Sequence, residues 1–231
     1  MKQHTPHESW TFRGPICDTF EGHIRRSVPF YDEGHELIVR LSTFFLSERS
    51  LCYDLGCSTG LLLHRLAGYH ANRDIRFVGI EREADMVDKA VAQTKADKHV
   101  RILHHDLVNA PLEKADLIIA YYTLQFVPPK YRQTLIDRLY ESLNWGGALV
   151  MFEKVRGADA RFQDIATQLY TEYKQQQGHC AEDILTKAEQ LKGVLEPFST
   201  QGNLDLLKRA GFVDVTSVMK YICFEGFLAI K

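Results

Sequence analysis

The chain has 231 residues, 45 % of them hydrophobic and 25 % charged, with a formal net charge of -2. That is ordinary globular composition: it can bury a full core in one domain, and no strongly basic balance argues for nucleic acid as a partner. No apolar run is long enough to cross a bilayer and no charged-then-apolar leader is present, so a cytoplasmic protein with no membrane partner is expected; the five cysteines, Cys17, Cys52, Cys57, Cys180 and Cys223, are scattered without a CxxC pair, which points away from zinc and from a disulfide framework.

In chain order, the first fifteen or so residues are polar and irregular and are expected to be loosely ordered unless they fold over a site. A helix is predicted over 34–46, where Leu37, Ile38, Leu41, Phe44 and Phe45 recur at helical spacing, and 1–50 reads as an N-terminal helical cap. Strand and helix then alternate: strand 50–56, helix 60–70, strand 75–81, helix 82–96, strand 100–106, loop 107–114, strand 115–124, helix 129–143, strand 144–154. The strands are short, apolar and mostly unalternating, as strands buried on both faces of a parallel sheet are. Residues 160–193 read as helical, inside a 155–200 insertion expected to form a lid. A helix over 199–212 ends at Gly211, and two antiparallel strands joined near Glu225 and Gly226 close the chain. The prediction is one α/β domain over 1–231, Rossmann-like, with a mostly parallel seven-stranded sheet, a C-terminal antiparallel hairpin and a helical insertion. That is the layout of class I methyltransferases.

In open parallel sheets the ligand lies at the carboxyl ends of the strands, near the switch in strand order. "YDLGCSTG" puts Asp54, Gly56, Cys57, Ser58, Thr59 and Gly60 at the first such end, with glycines that let backbone approach a ligand closely. The spacing is not G-x-G-x-x-G and no Lys follows, so neither a dinucleotide loop nor a P-loop matches; an acid ahead of the turn suits a cationic ligand group. Glu81, next to Arg82, ends the second strand, where a carboxylate can accept from two ribose hydroxyls. Asp106 and Leu107 follow the third strand, placed to bond an exocyclic amine and to pack an aromatic base. A glycine turn alone is common turn chemistry and a strand-end acid is commonly an N-cap. Three such ends in order imply one ligand carrying an ammonium, a ribose and an adenine but no phosphate, a description S-adenosylmethionine satisfies as cosubstrate or sole substrate.

"YDLGCSTG", "YYTLQFVPPKYRQTLIDRLYESLNWGGALVMFEK", "LLKRAGF" and "IRRSVPFYDE" together resemble the carboxy-S-adenosylmethionine synthase family, from about residue 18 to the C-terminus. The resemblance implies cofactor contacts from Tyr31, Asp54, Gly56, Ser58, Glu81 and Asp106, a Val-Pro-x-Tyr segment closing over the cofactor, and a homodimer. Two positions depart from the family pattern. Its carboxylate-anchoring Arg falls at Leu206 here, and its Asn after the fourth strand falls at Tyr121. Leu cannot supply bidentate recognition of a carboxylate, and Arg209 lies about 60° away around the helix, which argues against carboxyl transfer from prephenate.

In their place stand tyrosines. Tyr31, Tyr121, Tyr122, Tyr170 and Tyr173 are candidates for an aromatic wall around a sulfonium, with Tyr31, Tyr121, Tyr122 and Tyr173 as the catalytic candidates. The plainer reading makes Tyr121 and Tyr122 strand-end core residues and Tyr170 and Tyr173 helix-face residues. Glu153 is a candidate base or a structural cap. Methyl transfer to a small-molecule acceptor stands first on the fold's commonest use. The alternative is chemistry on S-adenosylmethionine itself: cyclisation to azetidine-2-carboxylate with release of methylthioadenosine, or carboxy-S-adenosylmethionine synthesis.

Overall fold

The computed structural model of the protein describes residues 16–231, with side chains described from 19 onward. The irregular first fifteen residues of the sequence reading lie outside that range. Helix α1 (Ile16–Ser27) and α2 (Tyr31–Phe45) lead into β1 (Leu51–Leu55), α3 (Leu61–Tyr69), β2 (Arg76–Glu81), α4 (Ala84–Gln93), β3 (Val100–His104) and β4 (Ala115–Tyr121). A 3-10 turn at Leu124–Phe126, α5 (Pro129–Ser142), β5 (Leu143–Lys154), α6 (Ala160–Gln176), α7 (Ala181–Gln190), α8 (Thr200–Ala210), β6 (Asp214–Tyr221) and β7 (Phe224–Ile230) follow. No described helix is long and apolar enough to cross a membrane.

The strands form one sheet in the order β3-β2-β1-β4-β5-β7-β6. β1 to β5 run parallel, and β7 is antiparallel to both β5 and β6. Every residue of β1 is buried, because each face of the sheet has its own cover. Leu51, Tyr53 and Leu55 point with Ile118 and Leu149 into a core completed by Leu135 and Leu139 of α5 and Leu206 and Leu207 of α8. Cys52, Leu117, Val150 and Phe152 point the other way, against Ile38 of α2 and Leu62, Leu63 and Leu66 of α3. The unalternating apolar pattern of the central strands has this cause. β3 is the exception: it is an edge strand, only partly buried.

Two features differ from the sequence reading. The hairpin turns at Ile222 and Cys223, with Ile222 at φ 50°, rather than near Glu225 and Gly226. Glu225 and Gly226 lie inside β7, and Gly226 is there because a Cβ would come within 2.6 Å of the Phe152 ring. At the other end, α2 begins at Tyr31, three residues before the predicted start, and a further helix precedes it. The α1–α2 corner is held by charge: Asp32 accepts from Arg25 Nε at 2.7 Å and from Arg65 Nη2 of α3 at 2.6 Å.

Candidate active site

The sheet order reverses between β1 and β4, and a cavity of 520 Å³ opens over the carboxyl ends of the strands there. Tyr31, Asp54, Gly56, Cys57, Ser58, Glu81, Arg82, Asp106, Leu107, Tyr121 and Tyr122 line it. Two residues expected with them do not. Gly60 caps α3 at φ 78°, where a Cβ would touch the Ala90 backbone at 3.0 Å, so it serves helix packing. Tyr173 lines a separate surface pocket with Arg25, Asp32 and Tyr221, its ring stacked on Tyr170 at 6.5 Å.

The turn after β1 is tied down from two sides. Gly56, at φ 69°, lets the Thr123 side chain pack where a Cβ would sit, and Thr123 Oγ1 donates to the Leu55 carbonyl at 2.7 Å. Glu81 Oε2 accepts from the Ser58 amide at 2.9 Å, while Oε1 accepts from the amides of Arg82 and Glu83 at 2.8 and 2.9 Å. Three of the roughly four acceptor positions of that carboxylate are therefore occupied by backbone. Asp106 Oδ1 accepts from the Val108 amide at 2.9 Å, leaving Oδ2 toward Arg82 at 4.0 Å.

Asp54 is different. It is 2 % exposed, yet no described hydrogen-bond donor or basic side chain serves its carboxylate. Burial, and then the charge of Glu81, push its pKa up to about 7. A buried acid with nothing to satisfy it at the mouth of a glycine turn fits an ammonium group.

Across the cavity stands an aromatic wall. The Tyr31, His35 and Tyr121 rings meet pairwise at 4.7 to 5.2 Å, and Tyr122 continues the wall 4.6 Å beyond Tyr121. The Tyr121 hydroxyl donates to the Tyr31 carbonyl at 2.6 Å, and Gly34 lacks the Cβ that would block it. Tyr122 holds φ 59° and Ser58 φ 52°, left-handed conformations for non-glycine residues, and both face the cavity. Burial pushes the phenols of Tyr31, Tyr121 and Tyr122 well above their ordinary value.

Sequence reasoning missed His35 and α1. His35 is 2 % exposed, its Nδ1 has no hydrogen-bond partner among the described residues, and burial, followed by the charge of Arg65, lowers its pKa to about 3. It lies one helical turn after Tyr31, a spacing that could have linked the two. Phe20 and Ile24 of α1, with Val28 just after it, roof the cavity, and Glu21 Oε1 accepts from Thr59 Oγ1 at 3.1 Å. Glu153 lies outside the lining. Its Oε1 accepts from the Leu124 amide at 3.0 Å, and burial raises its pKa to about 8, so it braces the 3-10 turn behind the wall. Tyr170 donates to the Ser27 carbonyl at 2.8 Å and joins α6 to the end of α1. Leu206 is a core residue outside the cavity, and Arg209 Nε donates to Gln133 Oε1 at 2.6 Å, so neither brings a cation to the site.

The Methyltransferase domain family model matches residues 53–147. The fold is similar to that of an O-methyltransferase family protein from Burkholderia thailandensis, with TM-score 0.66 at 14 % identity over 93 % of this chain and 59 % of that one. It is similar also to human N-acetylserotonin methyltransferase, solved in complex with SAM, with TM-score 0.59 at 20 % identity over 97 % and 63 %. The carboxy-S-adenosyl-L-methionine synthase of Campylobacter lari is 35 % identical over 97 % of this chain and 95 % of its own length. That of Staphylococcus epidermidis is 32 % identical over 96 % and 97 %. Identity of this order across nearly the whole of both chains means that the protein belongs to the carboxy-S-adenosyl-L-methionine synthase family.

Proposed function

We propose that the protein is an S-adenosylmethionine-dependent enzyme that acts on S-adenosylmethionine itself, closing its aminobutyrate arm to azetidine-2-carboxylate and releasing methylthioadenosine. The observation that carries this reading is the pairing of a buried acid without a described partner, Asp54, with a cavity whose described lining holds one guanidinium, at its rim. Arg82 is the permanently charged base among the lining residues, and it sits at the exposed rim beside Glu83 and Asp106.

The substrate's ammonium faces Asp54. As the nearest acceptor, Asp54 takes a proton from it and leaves a neutral amine. The nitrogen lone pair then forms the bond to the γ-carbon, the bond from γ-carbon to sulfur breaks, and its electron pair neutralises the sulfonium as a thioether. No external acceptor or oxidant is required. What the protein supplies is alignment of amine, carbon and sulfur, and an aromatic wall whose faces attract the sulfonium. Glu81 and Asp106 face the ribose and base, with Leu107 against the ring. α1 and the 155–200 insertion act as the cover, a reading supported by the bond between Tyr170 and Ser27. A reducing cytoplasm suits the buried free thiols of Cys52, Cys57 and Cys223.

Methyl transfer to a neutral acceptor is the second reading. The apolar roof of Phe20, Ile24 and Val28 favours it, since it offers room for an uncharged molecule. Against it, the phenols are held protonated and His35 is a poor base, so the wall activates no acceptor at neutral pH. Product analysis after incubation with S-adenosylmethionine alone separates the two: methylthioadenosine for ring closure, and S-adenosylhomocysteine only once an acceptor is added for methyl transfer.

A further inference from the structure

Two sealed side-chain polar atoms lack a partner among the described residues, His35 Nδ1 and Asn203 Nδ2. Asn203 lies on α8, outside the main cavity. His35 is a lining residue of that cavity, almost fully buried on α2. A buried imidazole without a hydrogen bond is costly, because each ring nitrogen is a donor or an acceptor taken out of water. No described group bonds either nitrogen of His35. Nδ1 is the nitrogen sealed off, so Nε2 is the one through which the ring meets the cavity.

Burial keeps the ring neutral at pH 7, and a neutral imidazole carries one N–H. With that proton on Nδ1, a donor would be buried unpaired. With the proton on Nε2, the donor is presented to the cavity and Nδ1 is left as a bare lone pair.

The position of His35 narrows what this donor can meet. Asp54 pairs with Ile119 across the β1–β4 ladder, two residues before Tyr121. The His35 ring lies 4.7 Å from the Tyr121 ring and 4.7 Å from the Tyr31 ring. His35 is therefore on the Asp54 side of the cavity, whereas Arg82 sits at the rim beside Glu83 and Asp106. The Tyr121 hydroxyl is already given to the Tyr31 carbonyl. In S-adenosylmethionine the ammonium and a carboxylate share one carbon. Asp54 serves the ammonium; the carboxylate needs a donor close by.

We propose that His35 is a substrate-binding residue whose Nε2–H donates to the α-carboxylate of S-adenosylmethionine. This rests on S-adenosylmethionine as the ligand in the function proposed above, and not on the fate of the substrate. Held by Asp54 at the ammonium and by His35 at the carboxylate, the aminobutyrate arm has a fixed orientation. A neutral donor does this without placing a positive charge beside the sulfonium, which a guanidinium would repel.

The test is calorimetric titration of wild type and His35→Phe with S-adenosylmethionine and with its decarboxylated analogue, which keeps the sulfonium, amine, ribose and base. The variant should bind S-adenosylmethionine about tenfold or more weakly, the size of one hydrogen bond to a charged group, and should bind the analogue as wild type does. Equal loss for both ligands would make His35 a packing residue and overturn the proposal, as would no loss for either. Wild type that binds neither ligand would refute S-adenosylmethionine as the ligand, and this assignment with it. Nitrogen-15 spectra of the imidazoles in wild type cover the case of a variant that does not fold. The His35 Nε2 resonance should move with S-adenosylmethionine and stay in place with the analogue. The same movement with both, or none with either, overturns the proposal.

Discussion

The Tyr121 hydroxyl donates to the backbone carbonyl of Tyr31 at 2.6 Å, joining the end of β4 to the first residue of α2. One bond thus sets the position of two aromatic rings of the cavity wall. It also explains Gly34, since a Cβ there would run into the same hydroxyl. Tyr121→Phe keeps the ring but leaves the Tyr31 carbonyl without this partner. The expected cost is about 1–2 kcal/mol, read as a fall of about 2–8 °C in melting temperature. Tyr121→Ala also removes the wall and should abolish turnover. A Phe variant as stable as wild type would show that the bond does not hold α2.

Asp54→Asn should weaken S-adenosylmethionine binding by at least about 30-fold in a calorimetric titration, the size of a buried charge pair losing one partner. Unchanged affinity would remove Asp54 from the site.

The same residue sets a pH dependence. Its folded pKa of about 7 lies above the value near 3.9 of an unfolded chain, so the native state holds the proton more tightly. Stability from this group is fully present below about pH 4 and is lost as pH rises through 7. Glu153, at about 8, acts in the same direction over a higher window. Ligand-free wild type should therefore lose stability relative to Asp54→Asn between pH 4 and 7, by on the order of a few kcal/mol, as measured by urea unfolding. Saturating S-adenosylmethionine should remove the difference, because its ammonium stabilises the carboxylate. A gap between the two proteins that stays constant with pH would contradict the assignment.

His35→Phe tests the orphaned imidazole. Its Nδ1 is buried without a partner among the described residues, so replacing the ring by an apolar one should leave the melting temperature unchanged or higher. A lower melting temperature would mean that Nδ1 has a partner in solution. Turnover should show no inflection near pH 6.5 from this residue, because burial holds it neutral.

The parallel sheet and the acids at three strand ends were legible because each rests on local signals: apolar runs, a glycine turn, an acid at a fixed place after a strand. What was not legible came from contacts distant in sequence. Nothing around His35 says that Tyr121, far along the chain, will pack against it. Gly226 reads as a turn residue until the Phe152 ring beside it is seen. Glu153 ends a strand as a catalytic base would, but the Leu124 amide claims it. Tyr173 stacks on Tyr170 one helical turn away, yet it lines a surface pocket while the Tyr170 hydroxyl is taken by the Ser27 carbonyl.

Leu206, where the sequence resemblance expects an arginine, lies on α8 and is 4 % exposed in the core against α5. Leu206→Arg alone should therefore destabilise the fold by about 3 kcal/mol or more and confer no binding of an anionic second substrate. A stable Arg variant that acquires carboxyl transfer would show that α8 sits closer to the cavity than it does here.

The central claim is that S-adenosylmethionine is the sole substrate. Pure protein incubated with it alone, with products resolved by liquid chromatography and mass spectrometry, should release methylthioadenosine and azetidine-2-carboxylate in equal amounts, well above the rate without enzyme. S-adenosylhomocysteine formed only after an acceptor is added, with no azetidine-2-carboxylate at any stage, would contradict it.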